Sequence, residues 1–152
     1  MKRRLAVVLA SVISLTTSAV ANACRVPARF DPTYVRHAGI VVIGRVVDYR
    51  KLDAVANYAR FEIIVDEVLV GVAPHRLSAT WRNSTFERPE ALPSEPMLIA
   101  LRDTRATMKP HSEQRSEEVL QATCSTAFML LNGSDGAKAV RRALDTKPSD
   151  DR

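Results

Sequence analysis

The histidines are the first residues to consider for chemistry, because imidazole binds metal ions and transfers protons near neutral pH. His37, His75 and His111 are separated by more than 30 residues and fall in different predicted elements. This spacing lacks the short intervals that are typical of zinc ligands. The sequence also contains no G-x-S-x-G, S-x-x-K or H-E-x-x-H motif. We therefore expect no metal of the protein's own, no cofactor and no enzymatic activity.

Acidic and aromatic side chains offer two further kinds of site. Glu117-Glu118 and Asp150-Asp151 are adjacent pairs whose side chains diverge, so we interpret them as solvated charge and not as a catalytic pair. Trp81 and Arg82, on one predicted strand, have the composition of a stacking platform for single-stranded nucleic acid. Such platforms use several aromatic residues, which make up only 5% of this chain. We therefore expect Trp81 in the core and no nucleic-acid partner.

Cys24 and Cys124 are the two cysteines of the chain. In an oxidising compartment, an even pair in a small exported domain predicts a disulfide. It would close a loop of about 100 residues, which contributes up to about 4.7 kcal/mol in the chain-entropy model. The alternative is a lipid on Cys24, which would leave Cys124 unpaired. A lipoprotein signal prefers Leu three residues before the cysteine, where Ala21 stands, so the disulfide is favoured.

The N-terminal segment has the pattern of a cleavable secretory signal. Three basic residues at 2–4 precede an apolar run from Leu5 to Val20, and Ala21-Asn22-Ala23 has the small-x-small pattern that signal peptidase cleaves. The run is too short and too rich in Ser and Thr for a membrane span. We expect residues 1–23 to be removed. The mature chain, without a transmembrane segment, is then periplasmic or secreted.

Removal of the predicted signal brings the chain close to neutrality. The full sequence has 22 Lys and Arg against 17 Asp and Glu, and three of the bases but none of the acids lie in residues 1–23. The balance from Cys24 onward is 19 against 17, or +2. The basic character of the whole chain is therefore no argument for a nucleic-acid partner. The remaining 129 residues suffice for one domain with a core.

Hydrophobic patterning predicts a chain made mainly of short strands. Asp31-Pro32 is a typical helix start, so a short helix is expected over 32–38. Strands are expected at 40–49, 58–70, 75–83 and 97–101, with a late strand at 119–123 and a further apolar run at 127–131.

Two irregularities and a final helix complete the prediction. Gly44 and a slip in the alternation near Glu67 indicate bulges. Ser134 or Asp135 caps a last helix with Ala137, Val140 and Leu144 on one face. The fold class expected is mainly β, a five-stranded OB-fold-like Greek-key barrel with a short N-terminal helix and a C-terminal helix, and a sandwich is the competing architecture. The domain spans 24–145, followed by a flexible tail at 146–152.

Several segments together resemble the netrin-like module. They are the Ala-Cys junction at Cys24, the short helix, "AGIVVIGRVVDYR", "ARFEIIVDEVLVG", "PMLIAL", and a late cysteine followed by "STAFML". The netrin-like module is the OB-fold shared by tissue inhibitors of metalloproteinases and small bacterial envelope proteins. The resemblance extends from Cys24 to about Leu131 and rests on hydrophobic patterns and cysteine positions.

The resemblance implies a role for the mature N-terminus. In the inhibitors, the N-terminal cysteine chelates the zinc of the protease through its amino nitrogen and carbonyl oxygen, and the next residue enters the specificity pocket. By position, these roles fall to Cys24 and Arg25. This chain lacks the C-x-C opening and four of the six inhibitory-domain cysteines. It also has a long Arg25 where a small residue is usual.

The sequence thus predicts an exported, non-catalytic OB-fold domain that acts as a protein-interaction module of the cell envelope. Its partner is expected to be another envelope or extracellular protein, with Cys24 and Arg25 at the contact, and the domain is expected to be a monomer. Three alternatives remain open: a metalloprotease inhibitor that uses the Cys24 amine and carbonyl, an OB-type binder of oligonucleotide or sugar, and an unrecognised hydrolase.

Overall fold

Strand pairing organises this protein, and the first strand pairs on both of its edges. The computed structural model describes residues 28–53, 58–82, 91–102 and 117–146. Within these ranges the chain forms a 3-10 helix, six strands and one α-helix. They are the 3-10 helix Pro32–His37, β1 (Ile40–Asp53), β2 (Tyr58–Val70), β3 (Arg76–Arg82), β4 (Met97–Arg102), β5 (Glu117–Val119), β6 (Met129–Leu131) and α1 (Asp135–Asp145).

Five of the strands close into a barrel. The order is β1-β2-β3-β5-β4, and β4 returns to pair with Ile40–Gly44 of β1. All of these pairs are antiparallel except β3 with β5, which is parallel. The short strand β6 extends the sheet from β4. The predicted barrel is confirmed, and the sandwich alternative is wrong, because β1 and β4 join the two ends of one continuous sheet.

The predicted irregularities lie in the β1–β2 pair. The register shifts between Ile43 and Gly44, and again between Val41 and Val42. A Cβ added at Gly44 would lie 2.5 Å from the carbonyl oxygen of Ile64, so a larger residue has no room where the two strands approach. These shifts coil β1 strongly enough to pair with both neighbours.

The barrel interior follows the period-two alternation of the sequence. Phe61, Ile63 and Val65 of β2 are buried, as are Leu77, Ala79 and Trp81 of β3. They pack with interior residues of the other strands, among them Ile40, Val42, Met97, Ile99, Leu101 and Val119. The prediction that Trp81 belongs to the core is confirmed.

A second apolar layer explains why β1 and β4 begin with continuous buried runs. The 3-10 helix and α1 cover the outer side of these strands through Val35, Ala137 and Val140. Asp31 caps the first helix by accepting the amide of Thr33 (2.9 Å), and Ser134 caps α1 by accepting the amide of Ala137 (3.2 Å). Burial in α1 also includes Ala143, whereas the predicted Leu144 is half-buried.

The late strand differs from the prediction. Strand β5 is Glu117–Val119 instead of 119–123, because its backbone pairs with Ala79 and Thr80 of β3 and with Leu101 and Arg102 of β4. Glu117 is consequently buried, with 8% exposure, and its Oε2 has no hydrogen-bond partner among the described residues. The interpretation of this glutamate as solvated charge is therefore wrong, while Glu118 is half-buried.

Other predictions concern residues that the structure does not describe. The signal peptide (1–23), Cys24, Arg25 and residues 147–152 of the tail all lie outside the described ranges. No helix in the described ranges has the length and hydropathy of a membrane span.

Candidate functional site

Cys124 lies at the tip of a short excursion between β5 and β6. The excursion is closed at its base by a bridge between Gln121 and Ala127, and by a 3.0 Å hydrogen bond from the amide of Phe128 to the carbonyl oxygen of Leu120. Cys124 itself has a φ of 62°, in the left-handed region that non-glycine residues rarely adopt. This cysteine is therefore presented on a tight turn that begins directly at the barrel wall.

A side-chain amide fixes this turn to the barrel core. The Trp81 indole donates a 3.0 Å hydrogen bond from Nε1 to Oε1 of Gln121. Gln121 in turn donates from Nε2 to the carbonyl oxygen of Ser125, at 2.7 Å. Because Trp81 is buried in the barrel, the turn that carries Cys124 is held by a residue of the barrel core.

The segment that follows the predicted N-terminus meets the same turn. The amide of Ala28 donates a hydrogen bond of 2.7 Å to the carbonyl oxygen of Cys124. Two residues later, the ring of Phe30 packs against Phe128, with centroids 5.0 Å apart. The chain after Ala28 is therefore attached both to the Cys124 turn and to Phe128, the residue just before β6.

The predicted disulfide spans the boundary of the described residues. No free cysteine is found in the described part of the chain, which includes Cys124 but not Cys24. The pairing of Cys24 with Cys124, and the role of Arg25 beside it, stay predictions.

A polar groove of about 200 Å³ lies beside the Cys124 turn. Its lining includes Arg82 of β3, Glu118 of β5 and Arg102 of β4, together with Gln121, Thr123 and Cys124 of the excursion. The two guanidinium groups present planar forks that fit carboxylates of a partner, and the Glu118 carboxylate accepts hydrogen bonds from its N–H groups. The groove therefore suits a partner that offers both acceptors and donors.

Arg82 has an additional contact that restricts its position. Its guanidinium carbon lies 4.7 Å from the centroid of the Tyr58 ring on the neighbouring strand. This cation–π contact positions the charge at the rim of the groove without neutralising it.

The described histidines lie away from the groove. His37 and His75 are both exposed, and His37 stacks against Tyr34 with centroids 4.6 Å apart; His111 is outside the described residues. Within the described ranges, no three His, Cys, Asp or Glu residues are grouped to hold a metal ion.

Sequence reasoning missed several groove residues. Arg102 lies one residue beyond the strand predicted at 97–101, and its position beside Glu118 depends on the pairing of β4 with β5. Gln121 carries no signal in the sequence, since its role depends on the distance between Trp81 and the Ser125 carbonyl in the folded chain.

Comparison with known proteins adds no family assignment. The sequence matches no protein-family model and no curated protein.

Proposed function

We propose that this chain is an exported, non-catalytic OB-fold-like domain that binds another protein of the cell envelope. The binding surface comprises the Cys124 turn, its groove and the N-terminal segment. The observation that carries the proposal is the 2.7 Å hydrogen bond between Ala28 and Cys124, because it attaches the start of the described chain to the groove rim. The predicted signal peptide supports a periplasmic or secreted location.

The disulfide between Cys24 and Cys124 is part of this proposal. Cys24 precedes Ala28 by four residues, and four residues span at most about 14 Å when extended. A disulfide needs Cα atoms about 4.4–6.8 Å apart, which lies well within that reach. The hydrogen bond from Ala28 thus supports the pairing, and the pairing would hold the mature α-amino group beside the groove.

A site-specific photo-crosslinker tests the binding surface. At Thr123, which is exposed on the groove, we expect a discrete crosslinked product in cells that export the protein. Val72, which is 82% exposed in the β2–β3 connection, is the control position and should give none. Equal crosslinking at both positions, or none at Thr123, would contradict the proposed surface.

Metalloprotease inhibition is the second candidate, and the same anchoring favours it. A zinc protease keeps one coordination position for water, which a rigid amine and carbonyl can displace. The amine must be unprotonated at the metal, which costs little because its reference pKa is about 7.7–8.0. Cys24 would supply this pair, and Arg25 would enter the specificity pocket.

An N-terminal extension tests the inhibitor proposal. One alanine added before Cys24 places the chelating amine within a peptide bond and leaves the fold intact. We expect the native chain, but not the extended one, to inhibit thermolysin or another purified zinc endopeptidase. Equal inhibition by both chains would exclude the Cys24 amine as the zinc ligand. No inhibition by either chain would exclude metalloprotease inhibition for the enzymes tested.

A further inference from the structure

One row of outward side chains crosses all five strands of the barrel. In the pairing register, Arg50 lies opposite Arg60, Arg60 opposite Thr80, Thr80 opposite Glu118, and Glu118 opposite Arg102. On β2, β3, β4 and β5, the strand residues directly before and after each member of the row are buried. Because successive side chains of a strand point to opposite faces, the row itself faces outward. Together with Arg82, two residues beyond Thr80 on β3, we call this row the polar belt.

The belt contains a pair of like charges that no described residue compensates. Arg50 and Arg60 are direct cross-strand partners, an arrangement that destabilises a sheet. The described residues include no ion pair to either arginine.

The neighbouring carboxylates do not neutralise these two arginines. Glu62 pairs with Arg76, and Asp66 pairs with Arg45 at 2.9 Å. Asp48 lines the same depression of about 300 Å³ as Arg50 and Arg60, but it lies beyond ion-pair distance of both. The Arg50–Arg60 pair therefore lacks an anion within the described protein.

The belt is continuous with the groove at Cys124. Arg82, Glu118 and Arg102 belong to both, so the belt extends the proposed binding surface around the barrel to β1. Four strand spacings of about 4.8 Å give a length of about 19 Å, which matches about six residues of extended peptide. Along this length the belt has four arginines and one glutamate.

We propose that the polar belt is the docking surface for an acidic, extended segment of the partner protein. This inference rests on the proposed function and specifies the chemistry of the partner. Carboxylates of the segment would occupy the forks of Arg50, Arg60 and Arg102. A backbone N–H of the segment would face Glu118, which accepts hydrogen bonds.

Other polyanions fit the belt less well. Single-stranded nucleic acid needs stacking surfaces, and the ring of Tyr58, on the adjacent strand, is already covered by Arg82. A uniformly charged polymer such as polyphosphate would bring negative charge against Glu118 and Glu62. A peptide avoids this repulsion, because its charges are spaced by neutral backbone groups.

Fluorescence anisotropy with a defined probe tests the proposal. The probe is a fluorescein-labelled Gly-Glu-Glu-Gly-Glu-Glu peptide, measured at 20 mM NaCl with the full mature protein. We expect the Kd to rise at least about tenfold in the Arg50→Gln/Arg60→Gln double variant and in Arg102→Gln, because charge-assisted hydrogen bonds are lost. Arg142→Gln removes the same charge from the exposed side of α1 and should leave the Kd within about twofold.

Three results would overturn the acidic-peptide proposal. They are no binding of the probe at millimolar concentration, equal Kd values in the belt variants and the native chain, and tighter binding of polyphosphate than of the peptide. The Thr123 crosslink separates this test from the proposed function. If the crosslink persists while the probe fails to bind, the belt proposal falls alone; if the probe binds and the crosslink is absent, the proposed function falls.

Discussion

The amide of Ala28 and the carbonyl oxygen of Cys124 are joined by a 2.7 Å hydrogen bond, although the two residues are 96 positions apart in the chain. This contact unites the first described residue with a turn that Gln121 and Trp81 hold to the core. The candidate binding surface is therefore linked to the barrel core by hydrogen bonds, and we expect substitutions in the core to affect its geometry.

The close approach at Gly44 predicts a large effect for a small substitution. In Gly44→Ala, the new methyl group would meet the carbonyl oxygen of Ile64 at 2.5 Å, so the β1–β2 pair must move. We expect the free energy of unfolding to fall by about 1–3 kcal/mol. Gly133→Ala is the control, because its added Cβ has no neighbour within 4 Å, and it should change stability by less than about 0.5 kcal/mol. Equal urea midpoints for the two variants would contradict the coiled β1.

The link through Gln121 predicts a loss of both stability and order at the turn. Gln121→Met keeps the volume but leaves the Trp81 indole N–H without its acceptor and the Ser125 carbonyl without its donor. We expect a loss of about 1–3 kcal/mol in urea unfolding, with faster exchange of amides around Cys124. Thr123→Ala, on the exposed side of the same turn, should have the same free energy of unfolding and the same amide exchange rates as the native chain. If Gln121→Met is as stable as native, the link does not hold the turn.

The like-charge pair of the polar belt predicts a stabilising substitution. Arg60→Gln removes the repulsion with Arg50, and we expect the unfolding free energy to rise by about 0.2–1 kcal/mol at low salt. The gain should shrink in 1 M NaCl, where the Debye length is about 3 Å. Arg45→Gln is the comparison, because it breaks the exposed pair with Asp66 and should bring no gain. A destabilised Arg60→Gln would mean that Arg60 is compensated within the protein.

Asp31 predicts a pH dependence of stability. Hydrogen bonds from the Thr33 hydroxyl and amide lower the pKa of this carboxyl, so the folded state favours its ionised form. The contribution is fully present above about pH 4, the ordinary range of aspartate, and is lost as the pH falls through the lowered pKa. The difference in Tm between native and Asp31→Ala should therefore narrow toward pH 2. A constant difference from pH 2 to 7 would show that the charge has no part in the cap.

The elements that could be predicted from the sequence are those that a local pattern determines, such as alternation of apolar residues or a helix cap. Alternation in Tyr58–Val70 and the Asp31-Pro32 start led to correct elements. Glu117 was misassigned because backbone pairing with β3 and β4 buries a residue that looks solvated in the sequence.

The polar belt could not have been found from the sequence, for a related reason. Its members come from five strands, and the shift of register between Val47 and Arg50 decides which residue faces Arg60. Such shifts depend on long-range pairing, whereas sequence patterns report only local periodicity.

Disulfide mapping of the exported protein tests most directly whether the mature N-terminus is held at the Cys124 turn. The protein is digested without reduction, and the cysteine-containing peptides are identified by mass spectrometry. We predict one linked species that joins Cys24 to Cys124, begins at Cys24 with an unmodified amine and separates on reduction. Thiol forms of both cysteines, or a lipid mass on Cys24 with a free Cys124 thiol, would contradict the account.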